Sequence, residues 1–200
     1  AHQKANEGTK KLNHYLTRYF IDSARLQKLS LNHYAYLTQC MQAYILRNTI
    51  AVHRLKFPYN MGSLLWQLND CWPVTSWSII DFEGCPKAAW YAVKDAFAND
   101  NPTSADKTIP KEWKLENSKI NFTRLTDTSF RVSSTGSARF VFLDIEASTK
   151  YLSNNYFDLG RGEDKVVFIS KGKLGAFTAT FPAVITLADV LAPTNKQRAL

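Results

Sequence analysis

Apolar residues in the first half of the chain recur at the spacing of an amphipathic helix. After Ser30, a residue suited to an N-cap, they return every three or four positions, which predicts a helix of about six turns. Residues 12–29 show similar spacing, with a predicted break around Asp22 and Ser23. The positions that define the long helix are Leu31, Tyr34, Leu37, Met41, Tyr44, Ile45 and Val52.

A short apolar run at residues 62–68 follows this helix and predicts a buried strand. Gly62 at its start would permit close approach of another backbone, and Pro73 marks the loop that ends the strand. A second helix is predicted from Pro86, whose fixed φ suits a first helical position, to Phe97. The order helix, strand, loop, helix is typical of a parallel α/β barrel.

The pattern changes in the second half of the chain. Residues 98–116 are polar and contain prolines, which predicts a linker. Beyond them the apolar period becomes two, and short strands about ten residues apart predict a small antiparallel β-sandwich. The strands are predicted around residues 120–122, 130–132, 140–142, 166–170 and 176–181.

Three tryptophans surround the end of the predicted strand. Trp66, Trp72 and Trp77 stand close to Asn69 and Asp70 in the sequence. Flat aromatic rings stack on sugar faces, and amides and carboxylates hydrogen-bond hydroxyls, so this mixture suits a carbohydrate pocket. The alternative is a tryptophan-rich core strand and loop, because large aromatic side chains usually pack inside proteins.

Composition narrows the function classes. The chain has 200 residues, 45% of them hydrophobic, and a net charge of +8. There is no apolar run of about 18 residues, so we expect no membrane span. The basic residues are dispersed and no nucleic-acid motif is present, so we expect a solvated surface and no nucleic-acid partner. We find no phosphate-binding glycine loop and no metal-ligand spacing, and we expect no cofactor and no metal.

The residue order of the tryptophan-rich segment is specific. The string Trp-Gln-Leu-Asn-Asp-Cys-Trp-Pro-Val-x-Ser-Trp-Ser-x-Ile-Asp, followed by Gly84 and Lys87, closely resembles the β-mannosidases of glycoside hydrolase family 2. Related exo-glucosaminidases carry the looser form Trp-x-Leu-Asn-x-x-Trp-Pro. The strong resemblance covers residues 1–97, and a weaker one around residues 156–160 is to the terminal immunoglobulin-like domain of these enzymes.

The resemblance implies a fold that is α/β plus all-β. Residues 1–97 would be the last units of a TIM (β/α)8 barrel, residues 98–116 a linker, and residues 117–200 an immunoglobulin-like β-sandwich. Full-length relatives are expected to carry another sandwich domain between these two parts, and the short connection here departs from that pattern.

The resemblance also implies a reaction. The parent enzyme would be a retaining exo-β-mannosidase that releases terminal non-reducing β-D-mannose from a glycan through a glycosyl-enzyme intermediate. Both catalytic glutamates are expected upstream of Ala1, and no residue here matches either one. We therefore predict that the isolated chain is inactive and that the remainder of the barrel is required for hydrolysis.

Four residues are predicted to bind substrate. Trp66 would form a wall or floor around the terminal mannose, unless its ring only fills the barrel interior. Asn69 and Asp70 would orient sugar hydroxyls or support the catalytic carboxylates, or else cap the loop backbone. Trp72 would line the outer pocket or pack the loop.

Two other interpretations remain open. The chain could be a non-catalytic carbohydrate-binding or interaction module, with residues 1–97 packed against a working sandwich. It could also act on another sugar, with glucosamine or galactose at the terminal site. The resemblance leaves the compartment open between lysosome, periplasm and secretion.

Overall fold

The computed structural model describes residues 3–98, 108–145, 152–170 and 183–191. The first of these ranges contains four helices and an irregular segment between the last two of them. The remainder is mostly β-structure followed by a short helix. In the described residues, no helix combines the length and the apolar character that crossing a membrane requires. The helices are α1 (Gly8–Tyr19), α2 (Ser23–Leu26), α3 (Leu31–Leu55), α4 (Ala88–Ala98) and α5 (Leu187–Leu191).

The helix predictions are confirmed, and caps explain where the helices begin. The side chain of Ser30 accepts a hydrogen bond from the backbone of His33 and starts α3, and Asp22 caps α2 in the same way. Helix α4 begins two residues after Pro86, at Ala88, whose backbone N–H donates to the side chain of Gln39 at 3.0 Å. Because Gln39 belongs to α3, one helix caps the other.

The prediction of a buried strand at residues 62–68 is wrong. Within the described ranges this segment joins no sheet, and the loop after it makes only isolated bridges, one of them a parallel bridge between Asn69 and Ile80. Leu64 is fully exposed, and a Cβ placed on Gly62 would meet open space, so no backbone approaches it closely. An apolar run forms a strand only if neighbouring strands complete its hydrogen bonds. Among the described residues, Ile79 and Ile80 donate to the carbonyls of Gln67 and Leu68 at the end of the run, and these bonds do not extend into a ladder.

The second part of the chain is a sandwich of two three-stranded antiparallel sheets, as predicted. The predicted strand at residues 176–181 and part of the predicted linker, residues 99–107, lie outside the described residues. One sheet has the order β1-β2-β5 and the other β4-β3-β6. The strands are β1 (Ile120–Thr126), β2 (Ser129–Ser134), β3 (Ala138–Asp144), β4 (Phe157–Leu159), β5 (Asp164–Phe168) and β6 (Ala183–Ile185).

A β-bulge in β3 divides its side chains between two cores. Pairing of β3 with β4 slips between Ala138 and Val141, and Phe140 there has φ of 51°. Such a φ is rare for a bulky residue, and the bulge reverses the direction of the side chain. Ala138, Val141 and Leu143 consequently fill the sandwich core, whereas Phe140 is buried among the helices.

Phe140 joins the sandwich to the helical part. Its carbonyl accepts a hydrogen bond from the hydroxyl of Tyr36 in α3 at 2.7 Å. Its ring stacks with Trp113 at 6.3 Å between centroids and lies under the guanidinium of Arg47. The backbone N–H of Phe140 donates to Asp158, which also pairs with Arg47 and Arg139.

Further contacts join the helices to the sandwich at both ends of their interface, which we call the seam. Lys94 in α4 donates to the carbonyl of Ser153 at 2.7 Å, and Arg25 in α2 donates to the carbonyl of Leu191 at 2.7 Å. Leu187 and Leu191 of α5 are buried in the same cluster as α1 and α3. The helices therefore share one hydrophobic cluster with the outer face of the β3 sheet and α5, while the sandwich has a second core of its own.

The seam leads to a prediction for Tyr36→Phe. The variant removes the hydroxyl that satisfies the buried carbonyl of Phe140, so we expect the free energy of unfolding to fall by about 1–3 kcal/mol. Urea denaturation measures the loss. Tyr15→Phe changes a half-exposed tyrosine of α1 and should alter stability by less than about 0.5 kcal/mol. Equal effects of the two changes would contradict the role given to Tyr36.

Candidate functional site

A groove runs between α3 and the tryptophan-rich loop, residues 69–80. Its volume is about 420 Å³, and both Trp66 and Trp77 border it. Glutamine side chains of α3 supply polar groups along the opposite side. The groove is lined by Leu12, Ala35, Thr38, Gln39, Met41, Gln42, Ile45, Leu46, Trp66, Val74, Thr75, Ser76, Trp77 and Lys87.

Backbone and amide hydrogen bonds hold the loop against α3. The side chain of Gln42 donates to the carbonyl of Trp77 at 2.7 Å. The backbone N–H of Ile79 donates to the carbonyl of Gln67 at 3.2 Å, and that of Ile80 donates to Leu68 at 2.9 Å. The loop therefore returns alongside the segment from which it started, and this return brings Trp77 to the same groove as Trp66.

Trp66 lies on the exposed face of the extended segment. Side chains at 64, 66 and 68 are exposed, and those at 63, 65 and 67 are half-buried, so burial has the period of a strand. The exposed face carries Leu64, Trp66 and Leu68, and Trp66 is 77% exposed. The peptide bond between Trp66 and Gln67 is cis. This face is an unusually large apolar surface to leave in water.

Asp70 is the most constrained residue of the site. Its side chain is 1% exposed, and both of its neighbouring lysines are 17% exposed. One carboxylate oxygen accepts hydrogen bonds from Lys4 at 3.2 Å and Ser76 at 2.6 Å. The other accepts from Lys87 at 3.0 Å and from the hydroxyl of Ser78. Each oxygen thus has two donors.

These donors determine the ionisation of Asp70. Burial alone raises the pKa of a carboxyl group, but the hydrogen bonds from the two serines and the two lysines outweigh burial and hold the pKa of Asp70 well below its usual range. The carboxylate is therefore charged and internally satisfied. A sugar hydroxyl could bind Asp70 only by displacing one of these four donors, so the geometry favours a supporting role over direct contact.

Asn69 and Trp72 do not line the groove formed by the described residues. The amide of Asn69 donates to the carbonyl of Asp70 at 3.3 Å, and the carbonyl of Asn69 accepts from Gln67 at 3.0 Å. Trp72 is 39% exposed and lies beyond Asp70 in the loop. Of the four residues predicted to bind substrate, the groove contains Trp66, and its role in binding stays a prediction like those of the other three.

Sequence reasoning missed the donors around Asp70. Lys87 was noticed only as part of a resemblance, and Lys4 lies 66 positions before Asp70, too far for any spacing rule. Ser76 and Ser78 could have been found, because the alternation Ser-Trp-Ser places two small polar side chains on the face opposite Trp77.

A second cavity of about 490 Å³ lies at the C-terminal end of α3. His53 in its wall contacts the hydroxyl of Ser63 at 2.8 Å, and Arg54, Phe57 and Phe97 also border it. Among the residues that the structure describes, its lining contains no carboxylate. The cavity therefore offers no acid–base pair for glycoside chemistry.

Asp70→Asn should be strongly destabilising at neutral pH. The variant removes the carboxylate that both mostly buried lysines share, and breaking a buried ion pair typically costs about 3–5 kcal/mol. The matched control is Asp127→Asn, which removes an exposed carboxylate paired with Arg124 and should cost less than about 1 kcal/mol. Chemical denaturation of both variants checks this, and losses of similar size would contradict the structural role of Asp70.

The lowered pKa of Asp70 predicts how stability depends on pH. The unfolded chain binds a proton at Asp70 near its ordinary pKa of about 3.9, whereas the folded chain does not. The contribution of Asp70 is therefore present above about pH 4 and is lost as the pH falls, by up to about 1.4 kcal/mol per pH unit. Urea unfolding near neutral pH and at about pH 3 measures the change in stability, which we expect to be smaller in Asp70→Asn than in the unaltered chain. Equal changes would show that the pKa of Asp70 is not lowered.

Comparison with known proteins shows similarity to mannosidases. A family model described as an Ig-fold domain of mannosidases matches residues 114–190. β-Mannosidase B of Thermothelomyces thermophilus is 39% identical over 85 residues, which are 40% of this chain and 10% of that protein. β-Mannosidase B of Aspergillus niger is 40% identical over 81 residues, which are 39% of this chain and 10% of that protein.

A solved structure gives a related result. The crystal structure of β-D-mannosidase from Dictyoglomus thermophilum matches 86% of this chain and 19% of its own, with a TM-score of 0.44 and 24% identity. The chain thus matches only about a tenth of the length of the curated relatives. The family model and the sequence relatives confirm the resemblance to β-mannosidases that the tryptophan-rich motif indicates: the chain is similar to these enzymes, and residues 114–190 match an Ig-fold domain of mannosidases.

Proposed function

We propose that this chain is the C-terminal portion of a retaining exo-β-mannosidase, with residues 1–97 as the last units of its TIM barrel. The observation that carries the proposal is the identity of 39% over 85 residues with a β-mannosidase. The parent enzyme would hydrolyse terminal non-reducing β-D-mannose residues of a glycan through a covalent glycosyl-enzyme intermediate.

The alternation of residues 62–68 supports a place in a barrel. Strands of a TIM barrel turn every second side chain inward, and the inward positions are filled with bulky residues. Leu64, Trp66 and Leu68 occupy the exposed positions of this segment, so they have the composition of an inward face. The half-buried positions between them pack towards the helices, as outward positions of a barrel strand do.

The site supports a role in substrate binding and offers no catalytic pair. A retaining glycosidase needs two carboxyl groups about 5 Å apart. The described lining of the groove has no Asp or Glu, and Asp70 beneath it is satisfied by four donors. The proposed division of labour is that upstream glutamates perform the chemistry, while Trp66 forms a wall of the mannose subsite, Asn69 and Trp72 border it, and Asp70 supports it.

The first test uses the polypeptide isolated from its natural source. We expect a species much heavier than the 22.7 kDa of this chain that hydrolyses aryl β-mannosides with retention of configuration, measured by proton NMR of the first product. The separate 200-residue chain should show no turnover. Turnover by that chain would overturn the proposal. A native 22.7 kDa species that binds mannan oligosaccharides in calorimetry without hydrolysing them would favour a carbohydrate-binding module instead.

The role of Trp66 predicts the effect of Trp66→Ala in the native enzyme. Loss of the ring should lower kcat/KM for aryl β-mannosides by at least about tenfold, which corresponds to about 1.4 kcal/mol of lost transition-state stabilisation. Phe168→Ala is a matched control, because it removes an exposed aromatic ring from the sandwich and should leave kcat/KM unchanged. If Trp66→Ala retained full kcat/KM, its ring would have no part in the subsite.

A further inference from the structure

Asp70 holds three segments of the chain together at one buried point. Lys4 comes from the N-terminal segment, Ser76 and Ser78 from the loop, and Lys87 from the entry to α4. Hydrogen bonds between backbones repeat these links. Lys4 donates to the carbonyl of Thr75 at 3.2 Å, and Lys87 donates to that of Ile79 at 2.9 Å. Each of the two lysines is thus bonded to the loop twice, through its side chain and through its backbone.

The two serines have a special relation to the groove. Ser76 and Ser78 flank Trp77 in the sequence, and both hydroxyls turn inward to the carboxylate of Asp70. In an extended chain, neighbouring side chains point to opposite faces. Trp77 is therefore directed outward, and it is 43% exposed and borders the same groove as Trp66.

The link through Ser78 is itself fixed by Lys87. Lys87 donates to the hydroxyl of Ser78 at 2.8 Å as well as to Asp70, and the hydroxyl oxygens of Ser76 and Ser78 lie 3.0 Å apart. The backbone N–H of Ser78 donates to Ser76 at 3.1 Å. These contacts restrict the backbone on either side of Trp77, because a loop in another orientation would leave the buried carboxylate of Asp70 without some of its donors.

We propose that Asp70 is a positioning residue, which acts through Ser76 and Ser78 to hold the ring of Trp77 at the groove that Trp66 also borders. The fixed position of Trp77 stands on the contacts of this chain alone. The use of that ring to hold a sugar rests on the proposed function. Trp77 becomes a specificity-determining residue for whatever glycan follows the terminal mannose, because an aromatic ring held in place selects a flat apolar sugar face.

The test uses the whole 200-residue chain with its five tryptophans labelled as 5-fluorotryptophan. Fluorine NMR then reports each indole, with Trp66 and Trp77 assigned from Trp→Phe variants. Ser76→Ala should displace or split the Trp77 resonance, and the resonances of Trp90 and Trp113 should stay in place. Ser76→Thr keeps the hydroxyl and should restore the Trp77 resonance. Ser118→Ala is the matched control, because it removes a hydroxyl that donates to Ser137 at 3.0 Å within the sandwich part.

The outcomes separate positioning from a general effect on stability. Spectra are recorded well below the unfolding transition of every variant, so a merely structural role of Ser76 would lower the transition temperature and leave the Trp77 resonance in place. An unmoved Trp77 resonance in both Ser76→Ala and Ser78→Ala overturns the proposal, whatever the native enzyme hydrolyses. A displaced resonance upholds it even if the native species shows no mannosidase activity, since the spectrum requires no sugar.

Discussion

The fold depends on the reversal of one side chain in strand β3. With φ of 51° at Phe140, the strand turns an aromatic ring away from the sandwich core and into the helices. The carbonyl at the same position is then free to accept from Tyr36, and the amide is free to donate to Asp158. A regular strand would bury Phe140 within the sandwich and leave the helices facing a polar sheet surface. The left-handed conformation is unfavourable by itself, and the surrounding contacts must outweigh it.

Ion pairs and hydrogen bonds hold the structure beneath the tryptophan-rich loop, whereas aromatic packing is prominent at the seam. Two lysines around one carboxylate would be unfavourable in an apolar interior if any of the charges lacked a partner. The hydroxyls of Ser76 and Ser78 complete the shell of Asp70, so its charge remains satisfied without water. The result is a rigid base under a surface of exposed rings. Rigid support of this kind is what a binding site for a flat sugar requires, because each ordered side chain costs less entropy when it was fixed beforehand.

Much of this fold could be predicted from local pattern. Helix α3 and the break before it follow from the apolar period and the caps at Ser30 and Asp22, and the sandwich follows from a period of two between glycine turns. The bulge at Phe140 could not be predicted, because it depends on what lies on each side of β3. The burial of residues 62–68 was predicted wrongly for a related reason. An apolar run favours a buried strand, but the segment is buried only where other parts of the protein cover it.

The candidate site was predictable to a smaller degree. The motif indicated the region and the aromatic residues, and the structure brings Trp66 and Trp77 to one groove. The surroundings of Asp70 combine residues far apart in the chain, and no periodicity connects Lys4 with Lys87. Sequence reasoning offered Asp70 as a direct ligand of the sugar or as a support. The four donors favour support, a distinction that only three-dimensional contacts can make.

The exposed face of Leu64, Trp66 and Leu68 also bears on how such a protein is made. An extended segment with apolar side chains and unpaired backbone groups is a template for association with other chains. Ribosomes deliver the N-terminal part of a polypeptide first, and earlier parts can fold while later ones are still being synthesised. If this segment is the last strand of a barrel, its partners already exist when it leaves the ribosome. The exposed apolar face would then be available for association with other chains only briefly.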